Sequence, residues 1–492
     1  MQIRSHEDIR DFIVRLEHRF PVDKWEVNDI HVWPYLRIKL FIHLIQYLDK
    51  DVGFVQSGLQ KKVEVKNERR QDILKRLSGI IQTLVFLNKK WSAKLLFFSL
   101  DMHRVKYNGL YLNRFFDVMV EEYQLQEEVL TFEIKNISKP VYNADRVVHL
   151  PTFIHSYKDF LKIKKRLFLS SRQVSKAQMP NFSEFLEVLE QEEIETGTLN
   201  FDLKAIASWS EKVKGVSGFF LKLFKRIKPE KILFLSYYGF DDISAAIYAA
   251  NKLNIKTIDF QHGPQTNVHM AYAHWTKVPR EGFNIMPTEY WCWDKKSAAS
   301  ILDWSAKTEI NALIKGQPWL TFCTKFYKKT SLESNKILYS LQLFSPSTMT
   351  DVFPETLIDA IKNLDFNWTL RLHPRNSLSS AKILDYLLKK GGKIERIVVE
   401  NPKDNPLPMS LLKSRLHITN YSGCLIEAVQ MRVPSIIIDS TGEAIYRNYI
   451  DGDLVVYKNK FDHDFEGFLK KHVEQVSKAR KLNLHKIPNP LY

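Results

Sequence analysis

The chain has 492 residues, of which 45% are hydrophobic and 26% charged, so it is too long for a single hydrophobic core and has the composition of an ordinary globular protein. Its 72 basic and 56 acidic residues give a net charge of +16, which favours an anionic partner such as a nucleotide, a phosphorylated lipid or a membrane surface. The basic residues are dispersed and form no known nucleic-acid-binding motif, so we expect no nucleic-acid partner.

The cysteines and the apolar runs indicate a cellular compartment. Cys292, Cys323 and Cys424 form no C-x-x-C pair, so the sequence predicts neither a zinc knuckle nor a disulfide framework and fits a reducing cytoplasm. The first residues lack the apolar core of a signal peptide, and no run of about 18 apolar residues is present. We therefore expect a cytoplasmic protein whose membrane contact, if any, is peripheral and at the inner face.

The first part of the chain is predicted to be helical. Trp33 to Leu48 and Gln71 to Leu87 carry apolar residues at three- and four-residue spacing. We expect a helical N-terminal region over residues 1–90.

Short apolar runs, each typical of a buried parallel strand, then alternate with helical segments such as Asp242 to Leu253. This alternation predicts a doubly wound domain over residues 91–320. Its predicted strands are Leu95 to Leu100, Arg146 to Leu150, Lys231 to Ser236, Lys256 to Phe260 and Glu289 to Trp293.

A second series of the same kind predicts a second doubly wound domain over residues 321–475, followed by a tail over residues 476–492. Its helices include Pro354 to Asn363 and Ser422 to Met431, and a last helix is expected to cross back to the first domain. Its predicted strands are Ile337 to Leu343, Trp368 to Leu372, Arg396 to Glu400, Arg415 to Ile418, Ser435 to Asp439 and Asp453 to Tyr457.

The predicted fold class is therefore α/β, with two Rossmann-like domains that face a cleft and a helical N-terminal extension, an arrangement known as GT-B. Ligands of doubly wound sheets bind beyond the carboxyl ends of the strands. We expect the functional site in the cleft.

Two polar segments at strand ends of the first domain carry candidate catalytic groups. His262, in Gln261-His262-Gly263-Pro264, has a side chain with an unperturbed pKa near 6.5, which suits proton removal from an acceptor hydroxyl. The alternative is a histidine that only hydrogen-bonds its own turn. Asp241 and Asp242 are candidates for the general base or for orienting His262, although aspartate is also a preferred N-cap.

In the second domain, the strand that contains Arg371 ends in basic residues. Because side chains alternate along a strand, Arg371 and His373 are predicted on one face, where a guanidinium and an imidazole would stabilise a departing nucleotide phosphate. The alternative is a basic strand end exposed to solvent.

The segment Thr419 to Ala428 has a strand-Ser-Gly-helix pattern. A helix that begins near Ser422 would direct backbone N–H groups and a helix dipole at a phosphate, and Gly423 would permit close backbone approach. Glu427, one turn inside the helix, either accepts from a ribose hydroxyl or lies at the surface. Further candidates for donor binding are Thr419 and Asn420.

Two Asp-x-Asp triplets, Asp451 to Asp453 and Asp462 to Asp464, are the candidates for a divalent metal. A turn before a strand and a helix start also favour aspartate, so we predict no metal. Val213 to Lys228 combines an apolar face with basic residues. It either lies on an anionic membrane or, as we favour, packs on the sheet.

Four segments together resemble a known family. The chain is similar to bacterial surface-polysaccharide transferases of the GT-B class, which include capsule and lipopolysaccharide glycosyltransferases of the sialyl and Kdo types and CDP-glycerol glycerophosphotransferases. The four segments are Trp25 to Arg37, Gln261 to Gly263, Arg371 to Pro374 and Tyr421 to Ala428.

The resemblance to the CMP-sugar enzymes implies that His373 and Ser422 bind the donor nucleotide. The resemblance to the glycerophosphotransferases implies that His262 is the catalytic base. Both imply a reaction without metal or cofactor. The chain has a Ser-Gly pair where a Ser-Ser or Ser-Thr pair is common.

The leading hypothesis is an inverting glycosyltransferase that moves a sugar from a nucleotide-sugar donor, with a CMP-sugar favoured, to a growing bacterial surface polysaccharide or lipid-linked glycan. One alternative is a phosphotransferase that uses a CDP-glycerol or CDP-ribitol donor. A second alternative is a non-enzymatic, membrane-associated scaffold.

Overall fold

The computed structural model describes residues 3–48, 70–167, 176–325 and 335–475, except for 343, 345, 375, 377, 403 and 452. Strands and helices alternate over most of these residues. The strands are β1 (Glu26–Val27), β2 (Ile30–His31), β3 (Leu95–Ser99), β4 (Arg104–Tyr107), β5 (Leu110–Asn113), β6 (Val129–Glu133), β7 (Val147–His149), β8 (Ala177–Gln178), β9 (Lys231–Phe234), β10 (Lys256–Phe260), β11 (Glu289–Cys292), β12 (Asn311–Ile314), β13 (Lys336–Ser340), β14 (Asn367–Arg371), β15 (Ile397–Glu400), β16 (Leu416–Thr419), β17 (Ser435–Ile437) and β18 (Val455–Tyr457).

The helices cover the faces of the sheets and form the N-terminal region. They are α1 (His6–Arg19), α2 (Trp33–Leu48), α3 (Arg70–Asn88), α4 (Phe116–Tyr123), α5 (Pro151–Leu167), α6 (Phe182–Gln191), α7 (Thr196–Leu199), α8 (Leu203–Ile227), α9 (Asp241–Asn251), α10 (Lys295–Ser305), α11 (Pro318–Lys325), α12 (Met349–Val352), α13 (Glu355–Asn363), α14 (Ser380–Lys389), α15 (Leu407–Leu412), α16 (Cys424–Gln430), α17 (Ser440–Ile445) and α18 (Phe465–Gln475).

Two parallel sheets confirm the predicted fold class. The first has the strand order β12-β11-β10-β9-β3-β6-β7, and the second has the order β15-β14-β13-β16-β17-β18. In each sheet the chain winds outward from a central strand and then returns to its other side. These switch points, between β3 and β9 and between β13 and β16, are where doubly wound sheets bind ligands.

The N-terminal helices pack into the core of the first domain. Ile9 and Leu16 of α1 and Leu36 and Leu40 of α2 are buried in the same apolar cluster as β3 and β9. The proposed boundary of a separate region at residue 90 remains a prediction.

A fully buried ion pair joins these two helices. The Arg37 Nε donates to Glu17 Oε1 at 2.7 Å, and the Trp33 indole N–H donates to the same oxygen at 2.8 Å. The second carboxylate oxygen of Glu17 accepts from both the backbone N–H and the hydroxyl of Thr276, at 2.9 Å each. The pair therefore holds α1 and α2 against the loop that follows β10.

The positions of two helices, α8 and α18, test expectations from the sequence. The apolar residues of α8 that the sequence singled out, including Phe219, Leu223 and Phe224, are fully buried, so that face packs on the domain as favoured. The expected return of the last helix to the first domain is wrong for the described residues, because Phe465 and Leu469 of α18 lie in the core of the second domain. The tail over residues 476–492 lies outside the described residues. None of the described helices is long and apolar enough to cross a membrane.

Arg37→Met should lower the free energy of unfolding by about 3–5 kcal/mol, because it leaves the Glu17 carboxylate buried without its cation. Urea denaturation measures the change. The matched control is Arg280→Met, which removes an exposed arginine that lies 3.4 Å from Glu309, and it should cost less than about 1 kcal/mol. Equal losses in the two variants would contradict the structural role of the buried pair.

Candidate functional site

The two predicted strand-end segments meet across the cleft. A Cβ atom added to Gly423, in the segment after β16, would lie 3.1 Å from Cγ and 3.2 Å from Cδ of Pro264, in the segment after β10. Beneath this contact, Phe260 and Trp291 of the first domain share an apolar cluster with Leu425 of the second. The carboxyl-end edges of the two sheets therefore face each other, as predicted.

A β-hairpin inserted after β3 adds a third segment to the cleft. The hairpin, β4 and β5, is anchored by Arg104, whose buried guanidinium donates to Glu133 Oε1 at 2.9 Å and to Asp117 Oδ2 at 3.1 Å. Burial raises the pKa of Asp117 to about 6, against the opposing effect of Arg104. This network fixes the backbone on which Arg114 stands, directly after β5.

Arg114 places an unpaired cation in the cleft. Its guanidinium lies over the Phe115 ring, 4.9 Å from the centroid, and makes no ion pair among the residues that the structure describes. Its Nε is buried without a hydrogen-bond partner. Burial lowers the pKa of Arg114 and the nearby Glu427 carboxylate opposes that shift. Arginine is effectively always protonated, so a positive charge without a contacting carboxylate faces the second domain, with Glu427 nearby.

His262 lies close to this cation. Its ring centroid is 5.5 Å from that of His103, at the base of the hairpin, and its Nδ1 is buried without a partner. Burial, and secondly the charge of Arg114, lower the pKa of His262 to about 4, so the imidazole is neutral at pH 7. A neutral imidazole with an open nitrogen is able to accept a proton. Burial also holds the pKa of His103 well below its usual range.

A cavity of about 230 Å³ opens beside His262. Burial lowers the pKa of His269 to about 3, and the Tyr238 hydroxyl lies 3.3 Å from His269 Nε2. The Tyr272 hydroxyl donates to the buried Asp259 at 3.1 Å. The cavity is lined by His6, Phe41, Ile45, Tyr238, His262, Gly263, Pro264, Thr266, Val268, His269, Tyr272, Tyr421, Ile445 and Tyr446, none of which is an acid, a lysine or an arginine.

The two candidate aspartates have other partners. Asp241 accepts from the Trp209 indole at 2.9 Å and from Lys212 at 2.6 Å, both on α8. Asp242 accepts from Lys158 of α5 at 2.8 Å. Both carboxylates therefore point toward α5 and α8, and neither contacts His262 among the contacts of the described residues. Their catalytic role remains a prediction.

Arg371 is buried at the end of β14, so the alternative of an exposed basic strand end is wrong for this residue. Its Nη1 contacts the Glu400 carboxylate and donates to the Asn405 carbonyl at 2.9 Å and to Ser410 Oγ at 3.3 Å. His373 lies beyond the strand end, in a turn closed by its carbonyl and the Asn376 N–H at 2.9 Å. His373 therefore lies outside β14, and a face shared with Arg371 remains a prediction.

The segment after β16 differs from the predicted phosphate cradle. The helix α16 begins at Cys424 and has only seven residues. The Ser422 N–H donates to Thr419 Oγ1 at 3.0 Å, and Ser422 Oγ accepts from the Cys424 N–H at 3.3 Å. Asn420 is buried and its Oδ1 accepts from the Tyr339 hydroxyl at 3.4 Å. These groups bind one another, and their donor-binding role remains a prediction.

Glu427 is buried, so the alternative of a surface glutamate is wrong. It accepts from Gln317 Nε2 at 2.8 Å, and the Gln317 Oε1 has no partner. Burial raises the pKa of Glu427, and the charges of Arg114 and Arg371 oppose that shift. A carboxylate, an open amide oxygen and an unpaired guanidinium thus face one another in the cleft.

Both Asp-x-Asp triplets make local contacts. Asp451 Oδ1 accepts from the backbone N–H groups of Leu454 and Val455, and Asp462 pairs with Lys458 at 3.0 Å. Within the described ranges, no group of three histidine, cysteine, aspartate or glutamate side chains is placed to hold a metal ion.

The sequence interpretation missed His103, Arg114 and Gln317. A hairpin signal that could have placed His103 and Arg114 was present in the sequence, because Asn108-Gly109 between short alternating segments is a strong hairpin signature. In the structure Asn108 and Gly109 both have positive φ. Gln317 follows a glycine in the segment between the domains and carried no such signal.

No protein-family model matches the chain, and no curated protein matches it. Among solved structures, the chain is similar to UDP-GlcNAc 2-epimerase from Neisseria meningitidis bound to UDP-GlcNAc, with 13% identity, a TM-score of 0.41 and coverage of 80% of this chain and 95% of that one. The chain is likewise similar to UDP-GlcNAc 2-epimerase from Methanocaldococcus jannaschii, with 12% identity, a TM-score of 0.42 and coverage of 80% of this chain and 95% of that one. Its similarity to the calicheamicin glycosyltransferase CalG4 has 10% identity, a TM-score of 0.39 and coverage of 78% of this chain and 89% of that one. Values this low carry no argument about function.

The two cleft arginines should differ in their effect on stability. Arg371→Met should lower the free energy of unfolding by about 3–5 kcal/mol, because it leaves Glu400 unpaired in a mostly buried site. Arg114→Met should cost no more than about 1 kcal/mol, because the residue has no ion pair to lose. Urea denaturation of the two variants side by side tests the ranking, and an Arg114 variant that is the less stable of the two would show that Arg114 is structural.

Proposed function

We propose that the chain is a GT-B-fold glycosyltransferase that transfers a sugar from a nucleotide-sugar donor to a bacterial surface polysaccharide or lipid-linked glycan, without a metal or cofactor. The observation that carries the proposal is the unpaired Arg114 guanidinium beside the neutral His262 in the cleft. An unmatched cation and a proton acceptor, next to an uncharged cavity, are the groups that sugar transfer from a nucleotide requires.

The donor phosphates fit the side of the cleft that holds Arg114. A guanidinium binds phosphate oxygens through paired hydrogen bonds, and here its Nε has no hydrogen-bond partner in the protein. Arg371 adds a positive charge that acts on Glu427, although Glu400 contacts its guanidinium. Glu427 and Gln317 would accept hydrogen bonds from the ribose or the base.

His262 fits the role of general base for the acceptor hydroxyl. Its pKa of about 4 makes it a weak base in the free protein, because it is buried next to a cation. A bound phosphate would neutralise Arg114 and so raise the pKa of His262 toward the working pH. Donor binding would thereby make His262 a stronger base in the complex that carries out the transfer.

The cavity beside His262 fits the transferred sugar or the acceptor sugar. Tyrosine and histidine side chains offer apolar ring faces and hydrogen-bonding groups to a ring with many hydroxyls. The resemblance to the CMP-sugar enzymes favours a CMP-sugar donor. If that sugar is acidic, its carboxylate has to reach Arg114, because the cavity lining supplies no lysine or arginine.

Nucleotide titration tests the donor site. The purified chain should bind a cytidine nucleotide in calorimetry against CMP, CDP, UDP and GDP, and Arg114→Met should weaken binding by about 10- to 100-fold, the effect of one charge-assisted hydrogen-bonded group. The matched control is Arg226→Met, an exposed arginine one residue before the end of α8, which should leave affinity unchanged.

The outcomes of the titration separate the hypotheses. Binding of UDP or GDP alone would keep the transferase and discard the cytidine donors. A cytidine nucleotide that binds, followed by transfer of a glycerol- or ribitol-phosphate unit in place of a sugar, would select the phosphotransferase. Absence of binding for all four nucleotides would favour the non-enzymatic scaffold.

His262→Ala should reduce turnover by at least about 100-fold and leave nucleotide affinity within about threefold, because a neutral imidazole contributes little to binding an anion. Release of nucleotide from the donor selected by titration, with isolated membranes as acceptor, measures turnover. His155→Ala, at an exposed histidine of α5, is the matched control, and Asp241→Asn and Asp242→Asn test the other two candidate bases. Turnover lost in Asp241→Asn and kept in His262→Ala would reverse the assignment.

A further inference from the structure

The helix α3 is apolar on two opposite sides. Ile80, Phe86 and Leu87 are buried against the first domain. At 100° per residue, a second group of apolar side chains falls in an arc of about 100° on the far side, facing solvent. This exposed stripe consists of Leu74, Leu77, Ile81, Leu84 and Val85, three of which are more than 60% exposed (69% for Leu74, 61% for Ile81 and 66% for Val85).

Basic residues lie at the first end of the stripe because of how α3 packs on α5. The two helices run antiparallel. Near the end of α3, Thr83 lies beside Phe153 at the start of α5, and nearer the start of α3, Arg76 lies 4.0 Å from Asp159, in the middle of α5. The last turn of α5 therefore lies beside the first turns of α3. That turn carries Lys164, Lys165 and Arg166, all exposed.

The second end of the stripe is also basic. The Arg226 guanidinium of α8 donates to the carbonyl of Asn88, the last residue of α3, at 3.2 Å. Lys89 and Lys90 follow directly and are exposed. The exposed stripe of α3 is therefore bracketed by positive charge at both ends.

We propose that this face of α3 docks onto an anionic lipid surface. An exposed apolar stripe flanked by lysine and arginine is the pattern of a helix that lies in a membrane interface, with its apolar side chains among the acyl chains and its cations at anionic headgroups. A membrane contact of α8 was the less favoured alternative from its sequence, and its apolar side chains are buried. The helix α3 instead presents an apolar stripe to solvent.

A second copy of the chain fits this face less well than a membrane does. Lys164, Arg166, Lys89 and Lys90 make no ion pair within the described part of the chain. Because both ends of the stripe are basic, a symmetric pairing of two stripes in either direction sets cations against cations. An anionic surface instead matches every one of these charges.

Vesicle sedimentation with the full chain tests the proposal. The protein should sediment with vesicles that contain phosphatidylglycerol and not with phosphatidylcholine alone, and added salt should weaken the binding. Ile81→Gln combined with Val85→Gln should reduce binding by at least about tenfold. The matched control is Leu388→Gln combined with Val398→Gln, at two exposed apolar residues of the second domain, and it should bind like the wild type.

Three results would overturn the proposal. The first is equal vesicle binding by the α3 variant and the wild type. The second is equal loss in the control variant. The third is a wild-type chain that binds no vesicles but forms a dimer in sedimentation velocity that the α3 variant abolishes, which would make the stripe an interface between copies. Unchanged nucleotide binding in the α3 variant would show that it is folded, because α3 does not line the cleft cavity.

Discussion

The position of the cleft cavity depends on the buried ion pair between Glu17 and Arg37. Neither side chain reaches solvent, so each charge requires every hydrogen bond that its partners supply. Arg37 also donates to the carbonyls of Ala273 and His274 and lies over the Trp275 ring. One pair thus fixes two helices and a loop in a single arrangement. A hydrophobic pair of similar volume would hold them together with less directional precision.

That arrangement matters because all three elements contribute to the cavity. The helices α1 and α2 supply His6, Phe41 and Ile45, and the loop after β10 contains both His262, which lines the cavity, and Thr276, which binds Glu17. The N-terminal helices are therefore as much a wall of the site as the sheet is.

Three arginines near the cleft differ in their partners. Arg104 and Arg371 have carboxylate partners, as buried cations in folded proteins generally do. Arg114 does not, and unpartnered polar atoms of His103, His262 and Gln317 lie in the same region. The guanidinium that anchors the hairpin has two carboxylate partners, whereas the groups that the hairpin presents to the cleft include atoms without a partner. Unpartnered polar atoms that cluster in a cleft are what a ligand site requires, which is why the proposed function rests on them.

The sequence predicted most of the sheets because their central strands are continuous apolar runs. It missed β6, whose Thr131 and Glu133 interrupt the run; Glu133 is buried only because Arg104, 29 residues earlier, pairs with it. It singled out His262 from its place after a strand and Glu427 from its place one turn inside a helix, and their roles remain predictions. It could not foresee that Asp241 and Asp242 point to α8 and α5, because those partners are far away in the chain and charge complementarity between helices leaves no local pattern.

The absence of a side chain at Gly423 sets the resting aperture between the domains. A methyl group at residue 423 would lie 3.1 Å from Cγ of Pro264, so the proline would have to shift by a few tenths of an ångström to admit it. A substitution there would alter how wide the entrance stands without changing the charge of the cleft. Residue 423 is therefore a position at which side-chain volume, and not charge, decides how closely the two strand-end segments approach each other.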